Sequence, residues 1–152
     1  YYGEIMSAKS RACFVVLDDY SIGMSYMCYE HKIIPENYFY ISRNGLLQYR
    51  DKCVTFDPPS PVLYLTECPS GGDLKKFGTW ELDAQGQTWG FLKTKKYNSQ
   101  GNLAWWCIMQ VTNILDAHKG EQMPQITGCD SSNEFQLWIF THKFDYSFVP
   151  QQ

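Results

Sequence analysis

No surplus of basic charge marks this chain of 152 residues: 13 Lys and Arg face 16 Asp and Glu, the net charge is −3, and only 19% of residues are charged. Nucleic acid and anionic membrane surfaces both select a concentrated basic face, so neither is an expected partner. Long hydrophobic runs are lacking as well. "ACFVVL" and "PVLYL" are among the longest, far short of the roughly 20 residues of a spanning helix. Helical runs of Ala, Leu, Glu and Lys are scarce. No charged-then-apolar leader precedes the opening "YYGEIM", so the chain reads as an excised domain or processed fragment, with any signal or anchor outside these residues. Catalytic signatures are missing: there is no G-x-S-x-G, H-E-x-x-H, P-loop or G-x-G-x-x-G. His31, His118 and His142 are widely spaced, without ligand spacing. Asp18 and Asp19 are adjacent and point two ways on a strand, which suits no glycosidase pair. The chain is not expected to be a catalyst by itself.

What is present is the composition of an all-β protein. Aromatics reach 16%, there are 11 Gly and 7 Pro, and β-branched residues are frequent. Short β runs follow one another between turn residues: "SRACFVVLD", "MSYMCY", "NYFYIS", "GLLQYR", "KCVTFD", "PVLYLTEC", "GTWELD", "TWGFLKT", "LAWWCIMQV", "QMPQITGC" and "FQLWIF". The opening "YGEIM" is the candidate for a twelfth strand. The six cysteines, at 13, 28, 53, 68, 107 and 129, form no C-x-x-C pair of the kind that zinc or thiol redox sites use. Disulfides in an oxidising compartment are the favoured reading; six buried free thiols in a cytosolic protein are the competing one.

The cysteines also disclose a repeat. Cys13 and Cys28 are 15 apart, as are Cys53 and Cys68, and a shift of 40 superimposes the pairs. Cys107 and Cys129 form a third, wider pair, 22 apart. An aromatic closes each unit: Phe39, Trp80 and Trp138. Each unit opens on a glycine, in "GEI", "GLL" and "GFL". The third copy carries insertions, "KTKKYNSQGNLAWW" before Cys107 and "NILDAHKGEQM" after it. One domain of three repeats follows, at about 1–42, 43–86 and 87–143, with a tail at 144–152. Equivalent positions should be bonded equivalently, which selects the pairs 13–28, 53–68 and 107–129. Each short loop so closed contributes about 3 kcal/mol on a chain-entropy estimate. Twelve strands in pseudo-threefold closure would leave few exposed sheet edges.

Three repeats of a cysteine, a second cysteine in a V-x-L-x-x-C strand and a Gln-x-Trp closure resemble the ricin B-type lectins, the β-trefoil (QxW)₃ family. "YYGEIM", "GLLQYRDKCV" and "CDSSNEFQLW" are similar, more narrowly, to the C-terminal lectin domain of polypeptide N-acetylgalactosaminyltransferases. The resemblance implies a β-trefoil with three intra-repeat disulfides. It implies a module of a Golgi-lumenal, membrane-anchored enzyme of mucin-type O-glycosylation. Such a parent would use UDP-GalNAc with a divalent cation such as Mn²⁺, the lectin domain itself holding no cofactor. The partner would be a GalNAc-bearing glycopeptide or the parent catalytic domain. A stand-alone secreted lectin or a cysteine-rich receptor domain is the alternative.

Sugar-binding repeats of that family place an Asp two residues after the first cysteine, often a His after the second, and an Asn before the Gln of Gln-x-Trp. A carboxylate accepts two hydroxyls while an aromatic face covers the apolar side of a pyranose. Here the Asp position holds Val15, Thr55 and Met109; the His position Tyr29, Pro69 and Asp130; the Asn position Glu36, Phe77 and Phe135. Only Gln136 keeps the Gln; Asn37 and Gly78 stand at the other two positions. The first repeat retains the most polar equipment. Asp18 or Asp19 could replace the missing carboxylate, with Tyr29, His31, Glu36 and Tyr38 in or near the facing loop. The same aspartates also make good turn chemistry. Asp57, before two prolines, reads as a turn-starter, and Asp130 as the opening of the "CDSS" turn. Asp116, His118 and Asn133 complete the polar candidates of the third repeat. Trp80 and Trp138 are expected in the core, and of Trp105 and Trp106 one must face outward.

Overall fold

The computed structural model describes residues 2–25, 38–70, 77–84, 89–110 and 124–142. Within them lie twelve strands: β1 (Tyr2–Ser7), β2 (Cys13–Val16), β3 (Ile22–Ser25), β4 (Phe39–Ile41), β5 (Leu47–Tyr49), β6 (Lys52–Thr55), β7 (Tyr64–Glu67), β8 (Thr79–Ala84), β9 (Trp89–Tyr97), β10 (Leu103–Gln110), β11 (Pro124–Gly128) and β12 (Leu137–His142). A 3₁₀ turn, Glu134–Gln136, leads into β12. The opening segment is therefore a strand, completing the expected twelve. All pairings are antiparallel.

The strands divide into three groups of four. In each group the second and third form an outer hairpin: β2 with β3, β6 with β7, β10 with β11. The first and fourth of each group form a ring. Ladders join β12 to β1, β1 to β4, β4 to β5, β8 to β9 and β9 to β12. The remaining gap is bridged where Trp80 N–H donates to the Gly45 carbonyl, at 2.6 Å. This is the β-trefoil: a six-stranded barrel carrying three hairpins.

The repeat pattern explains the core. Two residues beyond each opening glycine stand Ile5, Leu47 and Leu92, all fully buried. One residue beyond each first cysteine stand Phe14, Val54 and Ile108, buried in the same cluster as the closing aromatics Phe39, Trp80 and Trp138. Burial of one such aliphatic or aromatic side chain contributes about 1.5–3 kcal/mol. The closing tryptophans are also tied by their polar end. Trp80 Nε1 donates to the Val54 carbonyl at 3.2 Å and Trp138 Nε1 to that of Ile108 at 2.8 Å. Phe39 has no such donor and instead meets Phe14 edge to face, with centroids 5.7 Å apart.

Two glycines are forced by this geometry. Gly45 has φ +85°, a left-handed conformation that side chains disfavour. At Gly90 a β-carbon would stand 2.1 Å from the Asp83 carbonyl oxygen, so β8 and β9 can pair only if that carbon is absent.

Cys53–Cys68 and Cys107–Cys129 are both bonded, each within its own repeat. Cys13 is disulfide-bonded too; its expected partner, Cys28, lies outside the described residues, as does the tail 144–152. β3 starts earlier and β9 ends later than their sequence readings. Of the "MSYMCY" run, Met24 and Ser25 lie in β3, which starts two residues earlier at Ile22, and residues 26–29 lie outside the described residues. The insertion before Cys107 extends β9 to Tyr97, three residues past the "TWGFLKT" run, and with β10 it forms a projecting hairpin closed by a turn at Asn98–Gly101. Alternation continues along it, so Leu92, Thr94 and Lys96 face inward while Lys95 and Tyr97 face solvent.

Candidate functional site

The projecting hairpin turns its inner face onto the second repeat. Trp106 packs edge-on against Phe56, with centroids 5.6 Å apart, and donates its indole N–H to the Lys96 carbonyl at 3.0 Å. Lys96 is 92% buried (8% exposed). Its ammonium donates to Thr55 Oγ1 at 3.1 Å and to the Phe56 carbonyl, and sits 4.7 Å from the centre of the Phe56 ring. Among the described residues no carboxylate lies within ion-pair distance of it. Burial holds its pKa below the ordinary lysine value, against a smaller opposing pull from Asp57.

This lysine forms part of the wall of a hollow of about 370 Å³, with Thr55, Asp57, Tyr64, Pro69 and Phe77 among its other neighbours. Three of these, Thr55, Pro69 and Phe77, stand at the second-repeat positions that the sequence resemblance singles out. Thr55 cannot supply a carboxylate, and its hydroxyl is spent, accepting from Lys96 and lying 3.4 Å from the Phe77 carbonyl, to which it donates. The carboxylate comes instead from Asp57, two residues further on. Its main chain does start a turn, the carbonyl accepting Ser60 N–H at 2.8 Å. Its exposed side chain accepts the Tyr64 hydroxyl at 2.5 Å. Burial, reinforced by this bond and by the charge on Asp57, pushes the Tyr64 phenol up to about 12. The hollow thus offers an ammonium donor, a carboxylate acceptor and two aromatic rings within one small concavity. Tyr64 and Lys96 were not singled out from the sequence. The inward phase of Lys96 along "FLKTKK" was the available signal.

In the first repeat, Asp19 and its neighbours form a closed turn. Asp19 Oδ1 accepts both the backbone N–H and the hydroxyl of Ser21, at 3.0 and 2.5 Å. The hydroxyl bond is the main reason its pKa lies below the ordinary carboxylate value. Asp18 is exposed beside it. Tyr38 is buried elsewhere, in a small cluster with Tyr2 and Tyr40, and burial next to Glu4 and Tyr2 raises its pKa. Tyr29, His31 and Glu36 lie outside the described residues. Val15, at the family's Asp position, pairs with Gly23 in the outer hairpin.

The third repeat repeats the closed-turn pattern. Asp130 Oδ1 accepts the N–H and hydroxyl of Ser132, at 3.0 and 2.7 Å, and these bonds lower its pKa. Gln136 is buried, accepting Asp130 N–H at 2.8 Å and donating to the Gly128 carbonyl at 2.9 Å. Asn133 caps the 3₁₀ turn through Phe135 N–H and donates to Met109 Sδ at 3.2 Å. Phe135 is half-buried. These groups hold one another. Asp116 and His118 lie outside the described residues. Of the adjacent tryptophans, Trp105 faces solvent and Trp106 packs inward.

The architecture defines a class, the β-trefoils. Among solved structures the chain is similar to GalNAc-T7, solved with UDP, GalNAc and Mn²⁺, with a TM-score of 0.59 and 17% identity. The likeness covers 93% of this chain and 22% of that one, and at such identity it bears on the fold alone. No family model matches the chain, and no curated protein matches it.

Proposed function

We propose that the chain is a carbohydrate-binding module whose ligand sits in the hollow of the second repeat. The observation that carries this reading is the convergence of Lys96, Asp57 and Tyr64 beside Phe77 around one concavity. Sugar recognition needs donors and acceptors at fixed angles and an apolar ring surface, all of which are present. The trefoil shared with GalNAc-T7 and the disulfides support a place in the oxidising secretory pathway. The finer reading is a lectin module of a Golgi-lumenal transferase using UDP-GalNAc, steering it toward GalNAc-bearing glycopeptides.

Titration with GalNAc and with a GalNAc-threonine peptide, followed by NMR, tests the proposal. Shifts should centre on Thr55, Tyr64 and Lys96, and Asp57→Asn or Lys96→Met should weaken them at least tenfold. Asp18→Ala and Asp19→Ala should leave them unchanged; loss of binding in those variants would move the site to the first repeat.

A second reading has its own support. Val15 and Met109 stand where sugar-binding repeats carry Asp, and the carboxylates of Asp19 and Asp130 serve their own turns. On this reading the domain is a structural module without sugar affinity. An absence of any shift at millimolar ligand would favour it and sink the first.

A further inference from the structure

The outer face of the β9–β10 hairpin carries a feature that the hollow does not use. Pairing of β10 with β11 runs only from Trp106 to Gln110, whereas β10 pairs with β9 from Leu103 to Cys107. Among the described residues, Leu103, Ala104 and Trp105 therefore have a neighbouring strand on one side only. Elsewhere in the fold, backbone bonds bridge comparable openings: Trp80 to Gly45, Leu65 to Tyr20 and Ile126 to Pro61. Soluble proteins protect such an edge with charge, proline or a bulge. This one presents Leu-Ala-Trp.

The side chains around the edge are unusually apolar for an exposed surface. Leu103 is 48% exposed, Trp105 44%, and Tyr97, paired across from Leu103, 51%. The lysines of this face, on β9, lie nearer the open edge than its carboxylates. Lys93 lies 4.5 Å from the Trp105 ring centre and is already matched by Asp83 at 3.2 Å and Glu81 at 3.9 Å. Lys95, directly across from Trp105, lies 5.6 Å from the same ring and has no carboxylate within ion-pair distance among the described residues. The carboxylates of this face stand on β8, with β9 between them and the open edge.

We infer that the Leu103–Trp105 edge of β10 docks an extended acidic peptide segment of a partner protein by strand addition. The partner backbone would pair with β10, its apolar side chains would lie on Trp105 and Leu103, and a carboxylate would meet Lys95. Chains of opposite or no charge would lack that last contact. The site is separate from the hollow: Lys96 and Trp106 point inward from the same hairpin while Lys95 and Trp105 point outward.

The test uses two synthetic octapeptides as probes, one alternating Glu with Val and Phe, the other Lys with Val and Phe. They are titrated into the whole chain by NMR and by tryptophan fluorescence. The acidic peptide should shift the amides of Leu103, Ala104 and Trp105, bind at least tenfold more tightly than the basic one, and weaken as salt is raised. Lys95→Glu should reverse that preference, with circular dichroism confirming the fold. Asp57→Asn should leave it unchanged, so failure here is separable from failure of the hollow as a sugar site. Equal binding of the two peptides, shifts elsewhere or no shifts would overturn the inference. So would a concentration-dependent dimer that protects these three amides, or GalNAc shifting them in place of the peptide.

Discussion

Trp138 donates its indole N–H to the carbonyl oxygen of Ile108 across 30 residues, at 2.8 Å, in a core from which water is excluded. The bond ties the closing strand of a repeat to the strand that begins its hairpin. Trp138→Phe keeps most of the ring and removes the donor, leaving a buried carbonyl unpaired. The expected loss is about 1–3 kcal/mol, read as a lower urea midpoint at unchanged slope. An unchanged midpoint would show that the ring alone sets the contact.

Gly90 is expected to tolerate nothing larger than hydrogen. A β-carbon there would stand 2.1 Å from the Asp83 carbonyl oxygen, at the Ala84–Gly90 end of the β8–β9 ladder. Gly90→Ala should cost several times the roughly 0.5 kcal/mol of an ordinary surface substitution, because backbone rather than a flexible side chain must move. Thermal unfolding measures it, with Gly101→Ala as a partial control: its β-carbon would meet nothing within 4 Å, although its φ of +81° adds backbone strain.

Each described disulfide closes a loop inside one repeat, over 15 residues for Cys53–Cys68 and 22 for Cys107–Cys129. Replacing both cysteines of either pair by alanine should lower stability by about 3 kcal/mol, slightly more for the longer loop. Guanidinium unfolding of the two double variants checks the order. Cys53 and Cys107 are both fully buried, so a larger loss for the shorter loop would show that the packing of the removed sulfurs, rather than chain entropy, sets the order.

Acid should loosen the turns at Asp19 and Asp130. Each carboxylate is held below its ordinary pKa of 3.8, chiefly by a serine hydroxyl. As pH falls, the unfolded chain takes up these protons before the folded one does. The stabilisation is complete above pH 3.8 and is lost as pH falls through the lower folded values. Stability measured from neutral pH to strong acid should therefore fall less steeply for the Asp19→Asn, Asp130→Asn double variant. A parallel profile would show that other carboxylates govern the acid transition.

The trefoil was legible because its determinants are local and are stated three times. Glycine, cysteine and closing aromatic recur in order, and the second residue after each glycine lands in the core. The hollow was much less legible, for a physical reason. Asp57 looked like a turn-starter and is one; that its side chain also holds Tyr64 depends on the path of β7. Lys96 comes from another repeat, and no spacing in the sequence connects it to Thr55, 41 residues away. The third-repeat insertion reads only in part as strand from the sequence, "TWGFLKT" stopping at Thr94, although the alternation of inward Thr94 and Lys96 with outward Lys95 and Tyr97 continues to the end of β9.

That lengthened hairpin has a consequence for how such a molecule can change. In a chain built from three copies, the natural unit of variation is the single copy, and each would be expected to carry its own specificity. Here the third copy furnishes a wall of its neighbour's recess. A substitution at Lys96 or Trp106 therefore retunes chemistry belonging to the second copy, and the second copy cut out alone would lose part of its own lining. Inheritance in this protein follows the repeats, but recognition follows the seams between them.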